Sequence, residues 1–152
     1  QRWDTGRFQT PLTASVDASI DRERLSFIQG DAANLEAANL FDTTAPFDAI
    51  LLSNLLCRLT HPENCLRQFV DSDKYIKSGG ILVIASPNTW MEQYTPPESF
   101  LDGEDSDATV AAIGLLLPGF ELIHQEDIPF MIREHRRKYE YIISQGSVWR
   151  KL

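Results

Sequence analysis

Residues 77–86, with the sequence KSGGILVIAS, give the clearest secondary-structure signal in the chain. The run from Ile81 to Ala85 is apolar and rich in β-branched residues, which is typical of a strand buried on both faces. The two glycines before it indicate a tight turn, because glycine accepts the positive φ that such a turn needs. They precede a strand and do not open a helix, so a phosphate-binding loop is not indicated.

Strands and helices alternate on either side of this strand in the predicted pattern. Such an order indicates an α/β fold with a mainly parallel sheet, and the lack of a helix between the last two strands suggests a final antiparallel pair. Residues 1–20 are weakly patterned and are predicted as a loop or hairpin before the core of a single domain spanning 1–152. In chain order the predicted elements are a strand at 24–31, a short helix from Ala32, a strand at 47–54 buried on both faces, a helix from Thr60 that ends before the turn at 77–80, the strand at 81–86, a helix at 107–117, and strands at 120–126 and 139–144.

Composition and charge limit the classes of function. Hydrophobic residues make up 43% and charged residues 24% of the 152, as in ordinary globular proteins. No apolar run approaches the roughly 20 residues that span a bilayer, and the first residues lack the plan of a signal peptide, so a cytoplasmic protein without membrane contact is expected. The net charge of −8 argues against nucleic acid, because binding to phosphates needs a basic face. A small-molecule partner is therefore favoured.

The cysteines and histidines give no metal or redox signature. Cys57 and Cys65 lack the C-x-x-C spacing of a redox pair and are interpreted as reduced thiols. No set of His, Cys, Asp and Glu has metal-ligand spacing, so no metal site is predicted.

Three predicted strands end in candidate ligand-binding segments, at 30–32, 53–55 and 86–90, where ligands of open α/β sheets bind. In one interpretation Asp31 accepts a hydrogen bond from an exocyclic amine such as adenine N6, while Gly30 permits close approach and the Ala32 amide reaches a ring nitrogen. In the other, Asp31 only caps the short helix that follows. Asn54, which precedes Leu55, either orients a ligand through its amide or is a turn residue. The residues themselves leave both pairs of alternatives open.

The segment 87–103 is too long for a plain connection, and such loops are usually functional or disordered. Its aromatic residues, Trp90, Tyr94 and Phe100, either line a pocket or anchor the loop on the core. The run 133–138 mixes acidic, basic and imidazole groups. His135 in that run is a candidate for proton transfer near neutral pH, and the alternative is a solvated charged face.

Together these features resemble a class I S-adenosylmethionine-dependent methyltransferase with a Rossmann-like fold. A narrower resemblance, from about Arg7 onward, is to the C-terminal 4-mercaptohistidine N1-methyltransferase domain of ovothiol-biosynthesis proteins. The S-P-x-T-W and R-E-H runs are its most distinctive parts. The segments that carry it are GDAANL at 30–35, NLLCRL at 54–59, ASPNTWMEQYTP at 85–96, REHRRKY at 133–139 and SVWR at 147–150.

The resemblance implies transfer of a methyl group from S-adenosylmethionine to an imidazole nitrogen of a thiolated histidine. The cofactor-binding residues it implies are Gly30, Asp31, Ala32, Asn54 and Leu55. The substrate-binding residues are Asn54, Arg58, Trp90 and Tyr94, and the catalytic candidates are His135, Tyr94 and Glu92.

The chain departs from this family in one respect, because it contains no Gly-x-Gly. The family's glycine-rich loop lies upstream of all the segments that match, so the expectation is an incomplete domain that lacks the first strand–helix units and is inactive alone. The strand missing from the family's sheet would leave a gap, through which a homo-oligomer is expected to form. Two alternatives stay open: a methyltransferase of the same fold for another small molecule, and a non-catalytic module.

Overall fold

Six β-strands and two α-helices form the regular structure of the described chain. They are seen in a computed structural model that describes residues 2–37, 45–70, 73–102 and 106–152. Three 3-10 helices, at Arg22–Arg24, Leu56–Arg58 and Pro97–Ser99, lie between them. The strands and helices are β1 (Arg2–Thr5), β2 (Phe8–Thr10), β3 (Phe47–Ser53), α1 (Pro62–Val70), β4 (Ile76–Ser86), α2 (Ser106–Leu115), β5 (Phe120–His135) and β6 (Lys138–Lys151).

The larger sheet is mixed and has the order β3-β4-β6-β5. Only β3 and β4 are recorded as a parallel pair, whereas β4 and β6 are antiparallel. The prediction of a Rossmann-like α/β fold with a mainly parallel sheet is therefore wrong: the described chain is mostly β, with two helices. The physical reason is that no strand forms at 24–31 to extend the parallel part of the sheet, and that β6 pairs with β4 in the antiparallel sense. Two residues connect β5 to β6, and so short a turn joins antiparallel strands.

The strand predicted at 24–31 is also absent. A 3-10 helix covers Arg22–Arg24, and the residues after it are irregular. Leu25, Phe27 and Ile28 are exposed there. An apolar run forms a strand only when another strand pairs with its backbone N–H and C=O groups. The local sequence does not show whether such a partner exists.

β4 begins five residues earlier than predicted. The pairing of β3 with β4 shifts between Phe47↔Ile76 and Ala49↔Ile81, so residues 77–80 form a bulge within the strand. Gly79 has a φ of 76°, which is the left-handed conformation expected for a glycine turn. The glycines therefore bend the strand without ending it.

The core lies between β4 and the two helices. Leu82 and Ile84 of β4 are almost fully buried, and α1 contributes Leu66 and Phe69 at helical spacing. The last strand adds the Trp149 ring. From α2 and the residues after it come Val110, Ile113 and Leu117. By contrast, most of β3 is exposed, so its predicted burial on both faces is wrong.

The chain divides into two compact units. Unit 1 comprises residues 1–29 and 129–142, and unit 2 comprises residues 30–128 and 143–152. In unit 1, β1 and β2 form an antiparallel two-stranded sheet within the segment predicted as a loop or hairpin. The single domain over 1–152 stays a prediction. Among the described residues, no helix combines the length and the apolar character needed to cross a bilayer.

Candidate functional site

Two asparagines mark the carboxyl ends of the parallel strands of unit 2. Asn54 directly follows β3, and Asn88 lies two residues after β4. Their backbone φ angles are 51° and 52°, in the left-handed region that residues other than glycine rarely adopt. Within the described ranges they are the only non-glycine residues with positive φ. Residues held in such conformations cluster at functional sites, so this edge of the sheet is the candidate site.

Both asparagines are hydrogen-bonded to consecutive residues of β6. The Ser144 hydroxyl donates to Asn54 Oδ1 at 3.4 Å, and Asn88 Nδ2 donates to Gln145 Oε1 at 3.2 Å. The backbone N–H of Asn54 also donates to the Ala85 carbonyl at 2.8 Å. Ser144 and Gln145 are buried. The antiparallel return of β6 therefore fixes both strand ends.

Ser144 and Gln145 were not among the residues predicted from sequence. Ser144 lies 90 positions from Asn54, and Gln145 lies 57 positions from Asn88. Ser144 is the last residue of the strand predicted at 139–144, and Gln145 follows it. The sequence signal that could have identified them is a pair of polar residues within a run that favours a β-strand. If such a run is buried, its polar side chains need hydrogen-bond partners.

Arg58 and Tyr94, two predicted substrate-binding residues, lie together. The Arg58 guanidinium carbon stands 5.2 Å from the centre of the Tyr94 ring, a cation–π contact. Its Nη1 donates to the carbonyl oxygens of Thr89 at 2.7 Å and Cys57 at 2.9 Å. The 3-10 helix Leu56–Arg58 is thereby joined to the long loop after β4.

The rest of the long loop is anchored by Trp90 and Thr95. The Trp90 ring stacks on Phe100 with centroids 5.5 Å apart, as in the loop-anchoring interpretation. Its Nε1–H is buried and has no acceptor among the described residues. Thr95 is fully buried, and its hydroxyl donates to the Leu59 carbonyl at 2.6 Å. The unpaired indole N–H is the kind of orphaned donor that a ligand could satisfy.

The two proposed proton acceptors lie in different units. Glu92 is exposed on the long loop in unit 2 and has no hydrogen-bond or ion-pair partner in the described part of the chain. His135 ends β5 in unit 1, where its Nδ1 accepts from the Arg137 amide at 3.2 Å. In the same run Lys138 pairs with Glu134 at 2.6 Å, which lowers the pKa of the Glu134 carboxyl. The catalytic roles of Glu92 and His135 stay predictions.

The predicted cofactor-binding segment at Gly30 is a turn without a preceding strand. The Asp31 carboxylate accepts the Ala33 amide at 2.9 Å, which is a local capping contact. Gln68 of α1 holds the segment through the Ala32 carbonyl at 2.9 Å and the Leu35 amide at 2.7 Å. The short helix predicted from Ala32 is absent, because residues 32–37 form turns, so Asp31 closes a local turn and does not cap a helix. Contact of Asp31 with a cofactor stays a prediction. Leu55, the last predicted cofactor residue, is half-buried against the core.

An apolar cavity of about 240 Å³ opens beside this segment. Burial raises the pKa of the Cys65 thiol in its wall to about 12, and the charge of nearby Asp31 adds to the effect. A thiol held protonated in this way is not a nucleophile near neutral pH. The lining suits a flat apolar ring and consists of Ala32, Leu35, Phe47, Ala49, Ile50, Leu52, Cys65, Phe69 and Tyr75. No group of three or more His, Cys, Asp and Glu residues placed to hold a metal occurs in the described ranges.

Comparison with known proteins gives a likeness of fold. No family model matches the chain, and no curated protein matches it. A solved structure described as "Conversion of a Disulfide Bond into a Thioacetal Group during Echinomycin Biosynthesis" aligns with a TM-score of 0.50 and 11% sequence identity. The alignment covers 80% of this chain and 53% of the other, so this chain spans about half the length of that structure. At this identity the likeness concerns the fold alone.

Proposed function

We propose that the chain contributes to an S-adenosylmethionine-dependent N-methyltransferase that acts on a thiolated histidine in ovothiol biosynthesis. The observation that carries the proposal is the pair of left-handed asparagines, Asn54 and Asn88, which β6 holds at one edge of the sheet. The segments 54–59 and 85–96, which contain these asparagines, are also those in which the sequence resembles that family.

The cavity and the turn beside it fit the ring end of the cofactor. Its lining is apolar, and Asp31 lies close enough to affect the Cys65 thiol in the wall. A carboxylate at such a place accepts a hydrogen bond from an exocyclic amine. When bound, S-adenosylmethionine supplies an electrophilic methyl group on a sulfonium. We assign the cavity and residues Gly30, Asp31 and Ala32 to binding its adenine.

Asn54 and the long loop after β4 would orient the acceptor. A thiolated imidazole offers sulfur as a second nucleophile, so selection of nitrogen depends on how the ring is held. Asn54 has an amide N–H₂ with no partner in the described ranges, and Trp90 has an unpaired N–H. Tyr94, four residues after Trp90, presents a half-exposed ring. Glu92 has no partner among the described residues, and its carboxylate would accept the proton that leaves the imidazole ring.

Methyl transfer by the full-length natural polypeptide that contains residues 1–152 tests the proposal. The expected result is N-methylated 4-mercaptohistidine in the presence of S-adenosylmethionine, with losses in variants of Asn54, Glu92, Tyr94 and His135 tested one at a time. Full activity in all four variants would show that the site is assigned wrongly.

Calorimetric titration with S-adenosylmethionine separates the two alternative functions from the proposal. Binding together with transfer to other imidazoles or thiols, and none to 4-mercaptohistidine, would indicate a different small-molecule substrate. No binding by the natural polypeptide would indicate a non-catalytic module.

The proposal also covers location and self-association. A small-molecule enzyme with a net charge of −8 is proposed to work in the cytoplasm without nucleic acid or membrane partners. A second copy of the chain is proposed to pair along β3, because the described sheet ends at that strand and Leu51 is exposed there. An open apolar strand edge is a template for pairing with another strand.

A further inference from the structure

Within the part of the chain that the structure describes, the Arg58 guanidinium is held by hydrogen bonds from only one of its three nitrogens. All of its recorded hydrogen bonds leave from Nη1, toward Cys57 and Thr89. Within the described ranges, Nε and Nη2 have no partner. These two nitrogens form the edge of the planar fork that binds a carboxylate through two parallel hydrogen bonds.

Among the described residues, no carboxylate pairs with Arg58, although the chain is rich in acidic residues. Aspartate and glutamate outnumber lysine and arginine by 22 to 14, and none of the recorded ion pairs of the described residues includes Arg58. The residue is exposed, so a ligand in solution has access to it. Its stacking on Tyr94 and its bonds to two backbone carbonyls limit the conformations of a side chain that is otherwise flexible. Less entropy is then lost when a carboxylate binds.

We propose that Arg58 is a specificity-determining residue that binds the α-carboxylate of an amino-acid acceptor. This inference rests on the proposed function and deepens it, because it requires the acceptor to be a free amino acid and excludes decarboxylated or amidated imidazoles. Asn54 stands four residues earlier at the end of β3, so the amino-acid end and the ring of one ligand would be held by neighbouring parts of the site.

An α-amino-acid carboxylate could come from two sources, the acceptor or the methionine part of the cofactor. We assign it to the acceptor, because Arg58 is joined to the long loop with Trp90 and Tyr94, whereas the apolar cavity lies beside the turn at Ala32. Separate titrations with each compound distinguish the two sources.

The test is calorimetry on this chain with 4-mercaptohistidine and with its carboxamide, which has the same size but no carboxylate. The wild-type chain is expected to bind the free acid roughly 10- to 100-fold more tightly than the carboxamide, the effect of a charge-assisted hydrogen bond. In Arg58→Gln the acid should bind as weakly as the carboxamide. Arg67→Gln, the same change at an exposed position on α1, should bind the acid as the wild-type chain does.

Equal binding of acid and carboxamide by the wild-type chain would overturn the inference, and this comparison needs no variant. Weaker binding of S-adenosylmethionine in Arg58→Gln, with acceptor binding unchanged, would also overturn it. Should Arg58→Gln fail to fold by circular dichroism, Arg58→Lys keeps the charge but loses the fork and should bind the acid with intermediate affinity. Methyl transfer by the full-length natural polypeptide without discrimination between acid and carboxamide would contradict this inference alone, whereas failure of that polypeptide to bind S-adenosylmethionine would contradict the proposed function.

Discussion

At the scale of single residues, Asn54 and Asn88 combine backbone strain with hydrogen bonds to β6. Asparagine accepts the left-handed conformation more readily than most residues, because its short polar side chain bonds locally. Glycine would accept it at no steric cost but could not reach Ser144 or Gln145. Asparagine at these positions therefore meets both demands, which explains why neither strand ends in glycine.

Substitution of Asn88 should separate these two demands. Both Asn88→Gly and Asn88→Ala lose the bond to Gln145, but alanine also carries the steric cost of a left-handed φ. Asn88→Ala is expected to lose about 1–2 kcal/mol more unfolding free energy than Asn88→Gly. Urea titration of both variants measures the difference, with Thr89→Ala as an exposed control. Equal stability of the two would show that the backbone at residue 88 is not left-handed.

The Cys65 thiol should make the chain less stable at high pH. Its pKa is about 12 in the folded chain because of burial, whereas an unfolded cysteine ionises near pH ~8.5. Between these values the unfolded chain releases a proton that the folded chain retains, so stability falls as pH rises, by at most about 1.4 kcal/mol per pH unit. Cys65→Ser keeps the shape of the side chain, with a smaller atom in place of sulfur, and removes the titration.

Urea titration at several pH values compares the two proteins. The wild-type chain should lose more stability than Cys65→Ser between pH ~8.5 and about 12. Parallel curves would mean that the thiol is exposed to solvent in the folded chain.

At the scale of elements, the bulge at residues 77–80 joins the start of β4 at Ile76 to the part of the strand that lies in the core. A Cβ on Gly80 would stand 2.7 Å from Ile76 Cγ1 and 2.8 Å from the Lys77 carbonyl oxygen. A Cβ on Gly79 meets nothing within 4 Å, although φ is positive there. The two adjacent glycines are therefore required for different reasons, one for close packing and one for the backbone angle.

The same substitution at each glycine should show this difference. Gly80→Asn is expected to cost about 1–3 kcal/mol, because the bulge or Ile76 must move to admit a side chain. Gly79→Asn should cost under about 1 kcal/mol, since asparagine tolerates a left-handed φ. Thermal unfolding of the two variants provides the measurement, and a larger loss at Gly79 would contradict the described bulge.

At the scale of the whole molecule, β6 organises unit 2. It lies between β4 and β5 and carries the polar pair of the candidate site, the core residue Trp149 and the buried Lys151. Lys151 Nζ donates to the carbonyl of Phe69 at 3.0 Å and of Ile76 at 3.3 Å. One strand therefore connects the end of α1, the start of β4 and the site.

The outer edge of β3 leads to a prediction about assembly. A lysine on an edge strand opposes pairing with another strand, so Leu51→Lys should shift self-association toward the monomer. Leu115→Lys, at an exposed position on α2, makes the same change away from this edge and should leave association unchanged. Sedimentation velocity over a range of concentrations tests both variants. A wild-type chain that stays monomeric at all concentrations would exclude pairing along β3.

Much of the candidate site was predictable because its residues follow strands with strong local signals. Asn54 and the loop after β4 were found in this way, and Arg58 and Tyr94 came from the resemblance. Ser144 and Gln145 were not, because their importance depends on contacts with residues far away in sequence. The prediction of a strand at 24–31 was wrong for the same reason. This run has the composition of a strand, but no other strand pairs with it among the described residues.

The amino-acid sequence by itself determined the strand at Ile81–Ser86, the helices α1 and α2, the left-handed backbone at Gly79, and the chemistry available at the strand ends. These depend on local propensity and periodicity, which act over a few residues. Only the tertiary structure decided that β6 inserts beside β4, that the described sheet is not mainly parallel, and that β3 stays exposed at its edge. Strand order depends on which distant segments satisfy each other's backbone hydrogen bonds, and no local pattern specifies that choice.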